Sequence, residues 1–144
     1  MNELTEFLFT IPGVPRGKGR PKFRRMGKFV QTYTDDQTAS YENLVTLAAK
    51  VAMRGGAPIK GAVSVTVTCC FPIPKSTPKK HLQAMREGLI RHIKKPDGDN
   101  VGKAVLDGLN KVAFADDSQV AQFTVAKFYA DEPCVMVDVR QIHP

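Results

Sequence analysis

Residues 95 to 120 change character three times within one short stretch, and few folds accommodate that order. Lys95-Pro96-Asp97-Gly98 carries turn chemistry, with Pro96 steering Lys95 away from the helical region. Val101, Val105, Leu109 and Val112 then recur at four, four and three residues, which predicts a helix with one apolar stripe, capped by Asp99 or Asn100. Asp99, Lys103 and Asp107 recur every four residues and define a polar face on the same helix. Asp116-Asp117 leads into Ser118–Tyr129, whose alternation predicts a strand. One helix thus has a face for a core and a face for chemistry.

The flanking segments supply the rest of a sheet. Glu6–Pro12 alternates Phe7, Phe9 and Ile11 and predicts a first strand. Asp35 or Asp36 opens a helix to Met53 with Tyr41, Leu44, Val45, Ala48 and Ala52 as its buried stripe, ended by Gly55-Gly56. Ala62–Phe71 places Val63, Val65, Val67 and Cys69 inward and Ser64, Thr66 and Thr68 outward. Pro72, Pro74 and Pro78 force a rigid excursion before a short basic helix at Lys79–Gly88. Cys134–Ile142 forms a last strand, joined to its predecessor through Ala130-Asp131-Glu132-Pro133. The order β-α-β-α-α-β-β predicts an α+β fold, a mixed four-stranded sheet packed by helices. Its 144 residues make one domain, 1–144, large enough for a core without staples.

Magnesium and manganese favour hard carboxylate oxygens and keep several waters, which suits attack of water on a phosphodiester. Asp97 and Asp99 straddle the helix start, a strand packing back can bring Asp116 or Asp117 beside them, and Lys103 can face the same pocket as a point charge. The plainer account of the same residues is a turn, a cap, a solvated Lys103–Asp107 pair and a second turn. Two better-known motifs are absent. A calcium loop beginning at Asp97 would need a bidentate Glu where Gly108 stands. A phosphate loop needs four residues between its glycines and Ser or Thr where Ala104 stands, so no nucleotide cofactor is implied.

A net charge of +7 favours a polyanionic partner. Arg16, Lys18, Arg20, Lys22, Arg24, Arg25 and Lys28 form a run of seven cations without an acid, interleaved with Phe23 and Phe29. Gly17, Gly19 and Gly27 mark that run as a mobile loop fit to clamp a phosphate backbone. Lys75, Lys79, Lys80, Arg86, Arg91, Lys94 and Lys95 form a second concentration leading into the acidic motif, either a DNA contact or a solvated face. Cys69, Cys70 and Cys134 with scattered His81, His92 and His143 give neither a disulfide framework nor a zinc site. Met1-Asn2-Glu3-Leu4 lacks the start of a secretory signal and no run spans a bilayer, so the expected location is the cytoplasm, away from membranes.

The run Lys95 to Asn100, Lys103 to Asn110 and Asp116 to Val120 resembles the signature of the RusA family of Holliday junction resolvases: Lys-Pro-Asp-x-Asp-Asn, Lys-Ala-x-x-Asp-x-Leu-Asn, then Asp-Asp-x-Gln-Val. Phe9-Thr10-Ile11-Pro12-Gly13 through Arg20-Pro21-Lys22 is similar to the family's first strand and basic loop. Val101, Gly108 and Lys111 depart from its usual Leu, Ala and Gly, and two glycines in one helix mark either close approach of another backbone or a weaker helix. The resemblance implies a metal-dependent endodeoxyribonuclease that cuts four-way junctions by paired nicks in recombination and repair. It makes Asp97, Asp99 and Asp117 the Mg²⁺-binding carboxylates, with Asp116 a further acidic position, and Lys103 an essential lysine. A symmetric homodimer follows from the two-fold substrate. The alternatives are a non-catalytic nucleic-acid-binding module and a nuclease for flaps or forks.

Overall fold

A computed structural model describes residues 5–19, 22–33 and 36–143. The readings placed on residues 1–4, on Arg20 and on Asp35 as a helix start lie outside the described residues, as does the side chain of Lys22.

The elements in chain order are β1 (Glu6–Pro12), β2 (Lys22–Met26), β3 (Phe29–Tyr33), α1 (Asp36–Met53), β4 (Val63–Pro72), α2 (Lys79–Arg86), α3 (Gly98–Leu109), β5 (Val120–Ala130) and β6 (Cys134–Gln141). Four strands make a mixed sheet in the order β1-β6-β4-β5, with β4 and β5 parallel and the other neighbours antiparallel. Parallel neighbours require a crossover, and α2 and α3 lie on it. α1 and α3 pack side by side over the sheet. No helix among the described residues is long and apolar enough to cross a membrane.

Burial follows the predicted alternation in β4, where Val63, Val65, Val67 and Cys69 are fully covered, and in β6 through Val135, Val137 and Val139. Val101, Val105 and Leu109 of α3 complete the core opposite them. Two local expectations change. α1 buries Thr38, Tyr41, Val45 and Ala49, a stripe at steps of three and four, so Leu44 is left half exposed beside Leu47 and Val51 along an apolar groove against β1. The basic segment is not simply a loop, for β2 and β3 form a separate two-stranded hairpin. Its two-residue turn is Gly27-Lys28, and Gly27 sits at φ +61°, as the first position of a primed turn requires. The described stem residues Arg24, Arg25, Val30 and Gln31 are exposed, so no buried stripe betrays the strands in the sequence.

Gly102 and Gly108, in the body of α3, mark close approach. A Cβ on Gly108 would stand 2.6 Å from Val45 Cβ and 2.8 Å from the Glu42 carbonyl oxygen of α1. One on Gly102 would stand 2.6 Å from Phe123 Cζ of β5. These contacts set α3 flat against both neighbours and fix where its ends point.

Candidate active site

The helix cap falls at Asp97, not at Asp99 or Asn100. Asp97 is extended at φ −64° and ψ 146° and its side chain makes no capping hydrogen bond. Gly98 is already helical and packs on β5, where a Cβ would meet Val125 Cγ1 at 3.3 Å and Lys127 Cδ at 3.6 Å. The carboxylates of Asp97 and Asp99 thus project from the amino end of α3, where the helix dipole favours negative charge. Lys103 lies one turn along and pairs with Asp99 at 3.3 Å. The predicted Lys103–Asp107 pair does not form, because Asp107 takes Lys18 instead.

The turn carries a cis Lys95–Pro96 peptide, and contacts from the basic segment hold it. Gly17 lies so near Pro96 and Asn100 that a Cβ would stand 2.9 and 3.2 Å from theirs, and the Lys18 amide donates to the Asn100 carbonyl at 3.0 Å. The Lys18 ammonium sits between Asp107 and Glu42, and its hydrogen bond to Asp107 is the chief cause raising its pKa. Its charge is therefore already offset, and Lys18 ties the basic segment to α1 and α3.

On the other side, residues 91–94 are pinned to the ends of β4 and β5. His92 stacks on Phe71 with centroids 3.6 Å apart and meets Tyr129 edge-on at 5.5 Å. Burial, then Lys127 and Lys94, hold its pKa below the usual imidazole value. Arg91 lies over Phe128 and donates to the Lys127 carbonyl, and the Lys127 ammonium donates to the Lys94 carbonyl at 2.6 Å. Lys127 was not among the sequence candidates. Its one signal is a lysine within an alternating strand. Lys75, Lys79, Lys94, Lys95, Arg16, Arg24 and Arg25 are all exposed cations.

Asp116 and Asp117 form a different local structure. Asp116 caps a 3-10 turn at Asp117–Gln119, accepting from the Ser118 amide at 3.1 Å, while Gln119 accepts from the Asp116 amide. The Ser118 hydrogen bonds hold the Asp116 carboxyl below the usual range. Asp117 is exposed on that turn. The turn precedes β5, whereas Gly98 rests on the far half of the same strand. At about 3.3 Å per residue, Val120 and Lys127 are roughly 23 Å apart. The parallel crossover therefore leaves Asp97 and Asp99 at one end of β5 and Asp117 at the other. Among the described residues no three potential ligands gather within one chain.

Residues 12–140 match the protein family described as Endodeoxyribonuclease RusA. The chain is also 37% identical over 136 residues to an uncharacterized protein, YqaN, of Bacillus subtilis (strain 168), covering 93% of this chain and 95% of that one. The chain therefore belongs to the RusA family of endodeoxyribonucleases.

Proposed function

We propose that this protein is a magnesium-dependent endonuclease that resolves four-way DNA junctions by paired nicks, as a homodimer whose active sites are each shared by two subunits. The observation that carries this reading is the Asp97 and Asp99 pair, held on a helix end with no cap bond, with Lys103 paired to Asp99 and Lys127 beside Gly98, in a chain of the RusA family. Hard, exposed carboxylates suit Mg²⁺, with Mn²⁺ as a substitute. Asp97 and Asp99 of one subunit with Asp117 of the partner subunit would hold such an ion, which would supply an activated water and offset charge on the leaving 3′ oxygen.

The chain's own groups do the positioning. Lys94 and Lys95 draw a phosphate toward the turn, and Lys103 steadies its charge. Asp116 is a positioning residue, since its cap presents Asp117. Junction resolution leaves 5′ phosphates ready for ligation, and a substrate of this kind puts the enzyme in the cytoplasm.

The separation of Asp117 from Asp97 favours a shared site. The outer edge of β5 is exposed over Ala121–Thr124, whereas Arg91 covers the Lys127 carbonyl further on. Antiparallel pairing of two such edges about a two-fold axis, Gln122 against Gln122 of the partner subunit, would bring Asp117 of the partner subunit level with Lys127. That is the end of β5 where Asp97 stands. A two-fold dimer then carries two complete sites for a two-fold junction.

A labelled four-way junction incubated with the protein should be nicked symmetrically in Mg²⁺ and remain intact in EDTA, while a duplex of matching sequence is spared. Junction binding without cleavage in Mg²⁺ would overturn the enzyme reading, and preferred cutting of flaps or forks would change its substrate. Phosphate contacts by the hairpin are tested separately. Replacing Arg24 and Arg25 with Gln should flatten the salt dependence of junction binding by up to about two units, from roughly 0.9 per phosphate lost. An unchanged slope would remove the hairpin stem from the interface.

A further inference from the structure

We propose that the β2–β3 hairpin is a wedge whose apolar tip, Met26 and Phe29, stacks on bases left unstacked at a DNA branch point. The inference rests on the reading of the chain as a nuclease for branched DNA. Register pairs Met26 with Phe29 across the turn, so both side chains share one face at the very end of the arm. Phe29 is 78% exposed and Met26 52%, and Val30, on the opposite face, is 66% exposed. The sheet order gives this hairpin no neighbour in the main sheet to cover them. A solitary two-stranded hairpin is marginal in water, and the cross-strand partner covers only part of an aromatic that remains 78% exposed at its tip.

Charge identifies the partner. Arg24, Arg25 and Lys28 flank the tip, and no acidic residue occurs between residues 22 and 33. Apolar side chains on a purely cationic arm fit a polyanion that also offers flat apolar faces, which is unstacked nucleic acid. An acidic protein would match the charge but offers no reason for an aromatic at the tip.

Placement links the arm to the reaction. Its root packs on the catalytic turn through Gly17 against Pro96 and Asn100, and the Gly19 amide donates to Thr38 Oγ1 at the start of α1 at 2.9 Å. An arm of five residue pairs extends about 16 Å from that root. At about 3.4 Å per base-pair step, that reach spans about five base pairs from a phosphate held at Asp97. A duplex has no unstacked bases, so the tip favours junctions over linear DNA.

The test uses a junction with 2-aminopurine at the branch point, bound in EDTA so that no strand is cut, and a duplex of matching sequence. Wild type should change the fluorescence and prefer the junction. The Met26→Ala/Phe29→Ala protein should lose the fluorescence change and about tenfold or more of that preference, the loss of one stacked base. Its duplex affinity and melting temperature should be unchanged, since both side chains lie outside the core. Phe29→Trp should restore the signal. Wild type that binds and, given Mg²⁺, cuts the junction while the double variant keeps the same signal and preference would overturn the wedge alone. Wild type that binds no junction would overturn the nuclease reading and the wedge with it.

Discussion

Replacing Asp117 with Asn is expected to reduce Mg²⁺-dependent junction cleavage by about a thousandfold or more, with melting temperature and junction affinity held near wild type. The side chain is exposed and the turn beneath it is capped by Asp116, so the substitution removes one charge and no packing. Asp99→Asn carries the same expectation, since Asp99 is exposed in the first turn of α3 and loses only its pairing with Lys103. Exposed helical pairs of this kind are worth about 0.3–0.5 kcal/mol, too little to unfold the protein. Cleavage gels set beside thermal melts separate the two effects. Activity near wild type in either variant would remove that carboxylate from the reaction.

A second large effect is expected at Gly108, where the sign decides between two accounts. If this glycine only weakens the helix, Gly108→Ala should stabilise the protein by about 1 kcal/mol. The packing predicts the reverse, because the new methyl would lie 2.6 Å from Val45 Cβ, 2.7 Å from Val45 Cγ1 and 2.8 Å from a backbone oxygen. Valine has little rotamer freedom in a helix and a carbonyl moves only with its helix, so α1 and α3 must separate. Overpacking of this sort costs about 1–3 kcal/mol, and for a chain of this size the melting temperature should fall by roughly 3–8 °C. Gly108→Val should fall further, since it adds more volume than alanine and gains less helix propensity. A rise in melting temperature for the alanine variant would contradict the packing.

What the sequence disclosed follows from where side chains have one buried face. The alternation of Val63, Val65 and Val67 and the stripe of Val101, Val105 and Leu109 could be read directly because each faces the core on one side only. α1 was harder, for Leu44, Leu47 and Val51 are apolar yet exposed, and periodicity alone does not say which flank meets the sheet. The hairpin left no period to find, since its described stem residues are exposed. Charge alone likewise placed Lys18 among the DNA contacts. Its partners Asp107 and Glu42 come from distant elements, and only the fold brings them to it.

The site itself was legible as chemistry and not as geometry. Asp97, Asp99, Lys103 and Asp117 are the residues that the family resemblance singles out, and the proposed site is built from them. Their arrangement depends on β4 and β5 being parallel, which sends α3 back along the sheet and parts Asp97 from Asp117. An antiparallel connection would have brought them together. Strand direction is not written in side-chain alternation, so the separation on which the proposed shared site rests appears only once the topology is known.

The most direct test of that sharing mixes two inactive proteins. Asp97→Asn and Asp117→Asn are purified separately, allowed to exchange subunits, and added with Mg²⁺ to an end-labelled four-way junction. In a mixed dimer one site receives both substitutions and the other receives neither. Each protein alone should leave the junction intact, and the mixture should recover cleavage as single nicks from its one intact site. If the mixture remains as inactive as its parts while wild type cuts the same junction and subunit exchange is verified, the carboxylates act within one chain and the shared site is wrong.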